Sequence, residues 1–425
     1  MSSIMPKLLI ILFISLGFNL YGQESFFITE IDTTQTKKKI QESPFKTGYY
    51  PIGFFDFDLR YLIKYNNYEG IRLGIGGITN DRLFENFEIG GYFAAGIKDQ
   101  DFKYSLGGNY RINKNGKTWV SIYYNDDIRE IGAYAFLTDA RTYSVFEPRL
   151  LNITQFYKYQ ELHTNVQHEF SSKFFTELQV SLTAVDQIEN YYYIKNRKIY
   201  QNYQLTELTA SFRFNPKTQY FTYEDGSTKS YNVYPKITAQ ITQGIKGAFK
   251  SEFSYTKFGV KVDYLIKKQD LSSTHILLEG DFAFGDIPLT HLFHAYPNSP
   301  TKDEILQRFS IAGRRSFETM YFGEFFSDKL AALQVKHSLS RFKISARFRP
   351  QLVFITRHAI GNLKDPQDHL GIEFDTLNNI YSESGLELNN LALGFGMSFA
   401  YRYGYYHLSN FADNISFKFT FYPKF

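Results

Sequence analysis

Long stretches of this chain alternate between apolar and polar residues with a period of two, and this pattern constrains the fold more than any other feature. In the stretch 102–112, one set of positions is aromatic or aliphatic, namely Phe102, Tyr104, Leu106, Tyr110 and Ile112. The positions between them are charged or small, as expected for strands with one apolar and one polar face. Similar runs of about 10 or more residues recur, which is the length of a tilted membrane-crossing strand, whereas strands of soluble proteins have about 5 or 6.

The alternating runs predict an all-β protein whose fold is a transmembrane antiparallel β-barrel. About 16 strands are expected, an even number as in other single-chain bacterial barrels. We place their centres near residues 60, 74, 91, 107, 121, 163, 179, 208, 239, 260, 279, 334, 348, 386, 399 and 418. Because backbone groups in lipid must all be paired, the sheet is expected to close on itself. This fold class predicts a location in the outer membrane of a Gram-negative bacterium.

The N-terminus has the three parts of a cleaved secretory signal. Lys7 is followed by an apolar run from Leu8 to Leu20 and then by the small-residue step Tyr21-Gly22-Gln23, as in such signals. The apolar run is shorter than the about 20 residues that a membrane-spanning helix needs. We therefore divide the chain into a signal peptide (1–22), a periplasmic N-terminal tail (23–50) and an outer-membrane barrel (51–425).

Composition narrows the range of partners. Aromatic residues make up 18% of the chain, a surface that a lipid-facing wall would use. Cysteine is absent, which excludes disulfide bonds and thiolate metal sites. The 47 basic and 43 acidic residues are interspersed, so no nucleic-acid partner is indicated. The expected partners are outer-membrane lipid and lipopolysaccharide and, during biogenesis, the barrel-assembly machinery; the oligomeric state is left open.

The links between the predicted strands differ in length in the way that membrane barrels require. If the first strand leaves the periplasm, the long links fall outside the cell, at about 126–155, 186–202, 286–327 and 356–382. Most links on the opposite side are tight turns, which agrees with the long-outside, short-inside rule. The link from Asn215 to Asn232 is long on the periplasmic side. Either two strands extend beyond the membrane there, or the strand count is wrong nearby.

The last alternating run resembles a signal for barrel assembly. Its aromatic positions are Phe417, Phe419 and Phe421, and the chain ends on Phe425. A terminal strand with alternating aromatic residues and a final Phe is what the barrel-assembly machinery recognises. These four residues are therefore predicted to form the assembly signal.

Four short motifs occur in order along the chain. They are Glu69-Gly70-Ile71-Arg72-Leu73, Gly285-Asp286-Ile287-Pro288-Leu289, the group Phe317 to Met320 with Glu324, Phe325 and Asp328, and Glu383 to Leu388. In this order and spacing they resemble a family of outer-membrane barrels of unknown function that often follow a carboxypeptidase-regulatory-like domain. The resemblance covers most of 51–425 and implies a barrel distantly similar to the surface-antigen barrels of the barrel-assembly superfamily. That superfamily's Arg-Gly-aromatic loop motif has its nearest counterpart in Arg314-Arg315-Ser316-Phe317, which lacks the glycine, so an insertase role is only weakly implied.

No arrangement of residues predicts catalysis, a cofactor or a metal. The nine histidines are scattered, and none lies in a lipase elbow or a zinc-binding helix motif. His291 and His294 are three residues apart and would share a metal only on a helical turn. We therefore predict no catalytic residue, no cofactor and no metal site, and a protein that is not an enzyme.

Charged residues on the polar strand faces allow two interpretations. The cations expected to face inward are Arg60, Lys64, Arg72, Arg111, Lys261, Arg347, Arg349 and Arg402. A row of cations in a confined aqueous space would attract anions. Alternatively, they pair with carboxylates and fix the barrel wall; the candidates are Asp58, Glu69, Asp263, Glu279 and Glu318.

The link 286–327 is predicted to fold into the lumen as a plug. Loops longer than about 15 residues without regular structure are usually functional or disordered, and this one carries apolar residues that need a packing site: Leu289, Leu292, Phe293, Tyr296, Ile305, Leu306, Phe309 and Ile311. The residues predicted to line the lumen or hold the plug are Glu69, Arg72, Arg314, Arg315, Glu318, Glu324, Asp328, Arg347 and Arg349. Arg347 and Arg349 are expected on the wall opposite Glu318 and Glu324.

Two functions from different classes fit these patterns. The leading hypothesis is a barrel that transports or assembles something at the cell surface through a polar, plugged lumen. The alternative is a structural or adhesive surface protein whose loops bind a partner while the lumen stays closed. An outer-membrane hydrolase comes third.

Overall fold

The computed structural model describes residues 48–425 except 113–116, 140–147, 223–227, 233, 301–309, 346–347, 393 and 422–425. The predicted signal peptide, most of the predicted tail, Arg347 and Phe425 lie outside the described residues. Everything below concerns the described residues, which belong to the compact unit that runs from Ser43 to Phe425.

The regular secondary structure of the described residues is almost entirely β-strand. In chain order they are β1 (Tyr49–Ile52), β2 (Phe55–Asp58), β3 (Ile63–Asn66), β4 (Gly70–Thr79), β5 (Phe87–Gly96), β6 (Phe102–Arg111), β7 (Thr118–Glu130), β8 (Phe156–Ser171), β9 (Phe174–Gln187), β10 (Tyr192–Lys195), β11 (Lys198–Tyr200), β12 (Tyr203–Phe214), β13 (Thr218–Thr222), β14 (Thr228–Asn232), β15 (Lys236–Gly244), β16 (Tyr255–Lys267), β17 (Ser273–Gly285), β18 (Pro297–Ser299), β19 (Phe317–Tyr321), β20 (Lys329–Ser338), β21 (Gln351–Asn362), β22 (His369–Leu370), β23 (Tyr381–Ala392), β24 (Phe395–Gly404) and β25 (Ile415–Phe421).

Eighteen of these strands form one sheet. From β4 onward, each long strand pairs antiparallel with the next long strand along the chain, ending with β24 and β25. The first passage of the chain across the membrane, here called a crossing, is interrupted. A 3-10 turn at Leu59–Tyr61 separates β2 from β3, and both strands pair with β4. With β2 and β3 counted as one crossing, the described sheet makes sixteen crossings, and β1 is a short additional strand antiparallel to β2. The predicted all-β class is confirmed, and the count agrees with the expectation of about 16 strands.

One predicted strand lies at a different place. The sequence pattern centres a strand near residue 348, but β21 spans Gln351–Asn362, and the residues before it form the link from β20. The inner face of β21 carries Val353, Ile355 and Ala359, all buried. The outer face is mixed, with Phe354 and Ile360 beside Thr356 and His358. This strand therefore has no clean period of two, and the alternation seen before it misled the prediction.

Apolar and charged side chains occupy the opposite strand faces from those they occupy in a soluble protein. On β6 and β25 the apolar side chains point outward, with Leu106 66% exposed and Phe417 55% exposed. The charged side chains next to them point inward and are covered, since Lys103 is 2% exposed and Lys418 is 4% exposed. A wall that exposes apolar residues and buries charges is stable in lipid and not in water.

The links also follow the membrane pattern. Long links connect β7 to β8, β9 to β12, β17 to β20, and β21 to β23, and their common end of the sheet is the extracellular one. There, β10 pairs with β11 and with β22, so that two long links form a small outer sheet. At the other end, β13 and β14 form a hairpin. Two strands therefore extend beyond the membrane in the link Asn215–Asn232.

The main sheet does not close by a ladder between its first and last strands. Within the described residues, β25 pairs with β24 on one edge, while its other edge meets a piece of the link between β17 and β20. Ala312 N donates to Phe419 O at 2.7 Å, and Phe419 N donates to Ser310 O at 3.0 Å. Ile311 and Phe419 form a parallel bridge. The closure expected from the sequence is thus replaced by a seam that the chain's own link partly covers.

Helical structure in the described residues is limited to short 3-10 turns. They lie at Leu59–Tyr61, Pro148–Leu151, Ala248–Lys250, Leu289–His291, Pro366–Asp368 and Phe411–Asn414. Across the described ranges, none of the helices has the length and apolar character needed to traverse a bilayer.

Candidate functional site

The interior of the curved sheet, its lumen, receives a loop that follows β7. We call residues 131–139 the first plug segment. The backbone N of Leu137 donates to Gln240 Oε1 on β15 at 2.7 Å, and Gln240 Nε2 donates to Ala135 O at 3.1 Å. Thr138 Oγ1 lies 3.0 Å from Ser211 Oγ on β12. The segment therefore runs from β7 to strands that come several places later in the sheet.

The far end of the first plug segment reaches the middle of the wall. Lys261 on β16 donates to Asp139 Oδ1 at 2.8 Å, and Arg213 on β12 donates to Thr138 O at 2.6 Å. A Cβ added at Gly259 would lie 2.5 Å from the ring of Tyr134. Glycine at this inward position of β16 thus leaves the space in which an aromatic ring of the segment packs.

The link between β17 and β20 enters the lumen from the other side. We call residues 286–327 the second plug segment, described except for 301–309. Its main anchor is Glu383 on β23, which is fully buried. The backbone N atoms of Glu318 and Thr319 each donate to this carboxylate at 2.9 Å, and Arg357 on β21 donates to it at 2.6 Å. One wall carboxylate therefore holds both the plug backbone and a wall cation.

Glu318 itself forms a second set of buried contacts. Its carboxylate accepts a hydrogen bond from Lys418 Nζ on β25 at 2.9 Å and from Asn298 Nδ2 at 2.7 Å. Arg357 lies 4.0 Å away. Burial alone would raise the pKa of the Glu318 carboxyl, but the charges of Lys418 and Arg357 outweigh it and lower the pKa. The carboxylate therefore stays ionised and tied to the last strand.

A third contact lies closer to the extracellular end. Glu324 and Arg402 on β24 form an ion pair at 2.8 Å, and the same carboxylate accepts from Tyr321 N at 3.0 Å. The Arg402 guanidinium lies 4.7 Å from the centroid of the Tyr381 ring. Together with Glu318, this pair fastens the second plug segment to strands β21, β23, β24 and β25.

The two plug segments also touch each other. Gly132 N donates to Thr290 O at 3.2 Å, and His294 N donates to Gly132 O at 3.1 Å. Asn152, in the link that follows the first segment, donates to Asn298 Oδ1 at 2.7 Å. The lumen therefore contains a single packed body made from two links.

An apolar core joins this body to the upper wall. Its buried members include Ile131, Tyr134, Phe136, Leu289, Leu292, Phe293, Ala295, Phe317, Met320, Phe325 and Phe326 from the two plug segments. Wall residues such as Tyr157, Tyr203, Tyr255 and Tyr381 pack in the same cluster. Each large aliphatic or aromatic side chain buried here contributes about 1.5 to 3 kcal/mol, so the plug is held by packing as well as by charge.

Several of the inward cations of the wall are paired with carboxylates in the described structure. Arg72 donates to Asp127 at 2.6 and 2.9 Å and lies 3.4 Å from Glu69, which also contacts Lys103 at 3.2 Å. Arg60 pairs with Asp58. This geometry favours the second interpretation of the inward cations, in which they fix the wall.

The residues predicted to hold the plug thus lie in different environments. Glu318 and Glu324 contact the wall, but through Lys418, Arg357 and Arg402. Arg349, expected opposite them, is exposed in the link before β21, because the strand begins later than the alternation indicates. Arg347 lies outside the described residues. Arg314 and Arg315 are exposed, while Asp328 is buried at the extracellular end of β20.

The proposed assembly signal lies on the lipid side of the last strand. Phe417 and Phe419 are exposed outward and Phe421 is half-buried, while Phe425 lies outside the described residues. Their outward placement is compatible with recognition by another protein before membrane insertion, and that role stays a prediction.

No cluster in the described ranges has three or more metal-ligating residues arranged to hold an ion. His291 Nδ1 lies 2.8 Å from Thr290 Oγ1, whereas His294 Nε2 lies 2.9 Å from Glu130. Burial lowers the pKa of His291 to about 3, so this ring is neutral and serves in packing. The two histidines have different partners and do not form a shared site.

The first plug segment is the functional element that sequence reasoning missed. It contains no run of charges, and apart from the ion pair of Asp139 with Lys261 its wall contacts use backbone groups together with Gln240 and Ser211. Tyr134 and Phe136, two aromatic residues within an extracellular link, were the signal that would have indicated a buried position. The same argument from apolar content that located the second segment applies to them.

The apolar exterior, the buried inner charges and the long extracellular links together require a lipid environment. The protein is an integral outer-membrane β-barrel. The model of the family of unknown function (DUF5686) C-terminal domain matches residues 47–284, which is more than half of the chain. The chain belongs to this family. The family resemblance inferred from the sequence motifs is thereby confirmed. Because DUF5686 is a family of unknown function, membership in it assigns no activity to this chain.

Comparison with solved structures gives low identities. BamA from Haemophilus ducreyi lacking POTRA domains 1-3 is 12% identical, with a TM-score of 0.49, covering 84% of this chain and 68% of that one. CdiB from Escherichia coli is 11% identical, with a TM-score of 0.44, covering 83% and 60%. CdiB from Acinetobacter baumannii is 12% identical, with a TM-score of 0.39, covering 84% and 57%. This DUF5686 chain thus spans less than two thirds of either CdiB chain.

None of the curated proteins matches the sequence. The function of this DUF5686 barrel therefore has to be argued from its own geometry.

Proposed function

We propose that this protein is a non-enzymatic barrel that transports or assembles something at the cell surface and is closed at rest by its two plug segments. The observation that carries the proposal is the attachment of the second plug segment to the last strands. Glu318 binds Lys418 on β25, and Ser310 and Ala312 bond to the backbone of Phe419 on the same strand. One segment thus occupies the lumen and the seam together, so that moving it would open both.

A purely structural or adhesive barrel is the second candidate. It is favoured by the extensive core that joins the plug to the upper wall, since such packing resists opening. The two candidates differ in whether the plug can be displaced while the wall remains folded. Ion pairs with wall residues support the first candidate, because charged contacts can be replaced by water when a passage opens, whereas buried apolar contacts cannot.

The test is conductance across planar bilayers. Glu318→Ala combined with Glu324→Ala removes both plug carboxylates, and we expect higher ion conductance and greater sensitivity of cells to bulky antibiotics. The amount of folded barrel, measured by heat-modifiable gel mobility, should stay the same. A matched control replaces Asp365 and Glu373, which are exposed loop carboxylates, with Ala and should leave conductance unchanged. Unchanged conductance in the Glu318/Glu324 variant, with the loop cleaved readily by protease on intact cells, would favour the adhesive role.

A further inference from the structure

The short link between β15 and β16 lies at the extracellular end of the barrel, next to the start of β12. We call residues 245–254 the rim turn. Ile245 N donates to Thr206 O of β12 at 2.9 Å, and Thr206 Oγ1 donates to Ala248 O at 2.9 Å. These two hydrogen bonds fix the position of the rim turn against one strand of the wall.

The rim turn folds over the lipid-facing side of the wall. Leu208 and Phe212 of β12 are exposed on this side, and Thr206 belongs to the same set of alternating positions. Thr206 is nevertheless only 4% exposed, because the rim turn covers it and Ala248 O accepts its hydroxyl. The rim turn therefore lies at the edge of the surface that faces lipid.

Phe249 has an unusual backbone conformation and an exposed ring. Its φ is 45° and its ψ is 42°, and Lys250 follows with a φ of 66°. Residues other than glycine are strained in this left-handed region, so the stability of the turn does not explain a phenylalanine there. The side chain is 74% exposed. Aromatic rings at this level of a membrane barrel contact the boundary between acyl chains and head groups.

Two lysines flank this residue in the rim turn. Lys246 and Lys250 are exposed, and neither ammonium forms an ion pair with a described residue. Glu252 is the only acidic residue of the rim turn. Its carboxylate lies 3.3 Å from Lys198 Nζ of the outer sheet and accepts a hydrogen bond from Gln204 N at 3.2 Å. The rim turn thus offers cations to a ligand, while its carboxylate is already bound.

We propose that the rim turn binds lipopolysaccharide, with a lipid A phosphate contacting Lys246 and Lys250 and an acyl chain packing against Phe249. Exposed apolar side chains next to unpaired cations match a lipid that has an anionic head group. Among such lipids we infer lipopolysaccharide, because it forms the outer leaflet of the outer membrane and the rim turn lies at the extracellular end. This site is separate from the plug and does not depend on its opening.

Binding of three lipids to the full chain in detergent tests the proposal, with affinity measured by microscale thermophoresis. The probes are rough lipopolysaccharide, the same lipopolysaccharide after enzymatic removal of its phosphates, and phosphatidylglycerol. We expect the phosphate-bearing lipopolysaccharide to bind at least tenfold more tightly than either of the others. Equal binding of the dephosphorylated form would exclude the phosphate contact, and equal binding of phosphatidylglycerol would exclude lipopolysaccharide as the specific ligand.

The deciding variant combines Lys246→Gln with Lys250→Gln, which removes two charges from an exposed turn. We expect its affinity for lipopolysaccharide to fall about tenfold or more, as for the loss of two cations beside an anionic head group. Lys267→Gln combined with Lys268→Gln is the matched control, since these exposed lysines lie at the periplasmic end of β16, and it should bind like the unchanged protein. Equal affinities of the two double variants would overturn the proposal.

Phe249→Gly separates binding by the ring from a structural role. Glycine adopts the left-handed backbone without strain, so the variant should be at least as heat-stable as the unchanged protein, measured by heat-modifiable gel mobility. Its affinity for lipopolysaccharide should nevertheless fall several-fold, because the acyl chain loses its aromatic contact. Unchanged affinity, or a loss of heat stability together with the loss of affinity, would overturn the role assigned to the ring.

Discussion

The two plug segments occupy the same lumen but are attached to its wall by different chemistry. The first segment is held mainly by neutral hydrogen bonds to Gln240 and Ser211, with one ion pair at its end. The second is held by buried charges that converge on Glu318 and Glu383. Neutral hydrogen bonds each contribute about 0.5 to 1.5 kcal/mol, and removing one partner of a buried charge pair costs about 3 to 5 kcal/mol. The second segment is therefore the one whose release a single substitution or a change of pH can control.

The largest effect is expected from Glu383→Gln. This change removes the charge that faces Arg357 and weakens the acceptors for the backbone of Glu318 and Thr319. The second plug segment should lose on the order of 3–5 kcal/mol of its attachment, and ion conductance should rise more than in any variant of the first segment. Glu387→Gln is the matched control, since Glu387 lies on the same strand and its described contacts are with wall residues Lys336 and Asn389. Equal conductance in the two variants would contradict the assigned role of Glu383.

Acid should weaken the attachment of the second plug segment, with a smaller effect on conductance than Glu383→Gln. The pKa of Glu318 is lowered in the folded protein, so its contribution to stability is fully present above its ordinary pKa of 4.5 and is lost as pH falls below that value toward the folded pKa. Protonation would weaken its contacts with Lys418 and Arg357. Conductance measured from pH 7 down to pH 3 should therefore increase below about 4.5.

Glu318→Gln carries the control for this titration, because it removes the titrating group and keeps the side-chain shape. Its conductance should be higher at pH 7 and should change less with acid than that of the unchanged protein. An identical acid response in both proteins would assign the effect to another group.

The smallest effect is expected from Ser211→Ala in the attachment of the first segment. The hydroxyl contact with Thr138 is lost, which should weaken the attachment by about 1 kcal/mol. Hydrogen exchange of the Thr138 amide should become faster while the conductance changes little. Ser105→Ala, at another buried inward serine, should leave that amide unaffected. A conductance change as large as that of Glu383→Gln would remove the distinction between the two segments.

Strands that face lipid on one side and polar groups on the other were predictable from sequence, because their outward positions are apolar and their inward positions are polar, which gives a clear period of two. β6 and β25 are found at their predicted positions for this reason. β21 was misplaced because its inward positions include the buried residues Val353 and Ile355, which are apolar where the pattern expects polar residues. Its start is set by pairing with β20, where Ser338 lies opposite Val353, and no local pattern records that register.

The site was predictable only in part, and for a related reason. Glu318 and Glu324 are charged residues in the later half of a link that is rich in apolar residues, which made them candidates for plug contacts. Their partners Lys418, Arg357 and Arg402 lie on strands far along the chain, and which of the many inward cations a loop meets depends on the curvature of the whole sheet. The first segment carries a single charge, Asp139 at its end, and so gave no comparable signal.

The pairing of Ser310 and Ala312 with Phe419 has a consequence for the order in which the protein is built. β25 is the last strand of the sheet to be synthesised, and its contact with Glu318 joins residues 100 positions apart. Contacts over such a separation form late, because the intervening chain must first be ordered. The final crossing would then dock against a template that already contains the second segment. The barrel is then assembled around the second plug segment. A lumen from which this segment is displaced after folding is therefore formed by a different route from a lumen that folds without it.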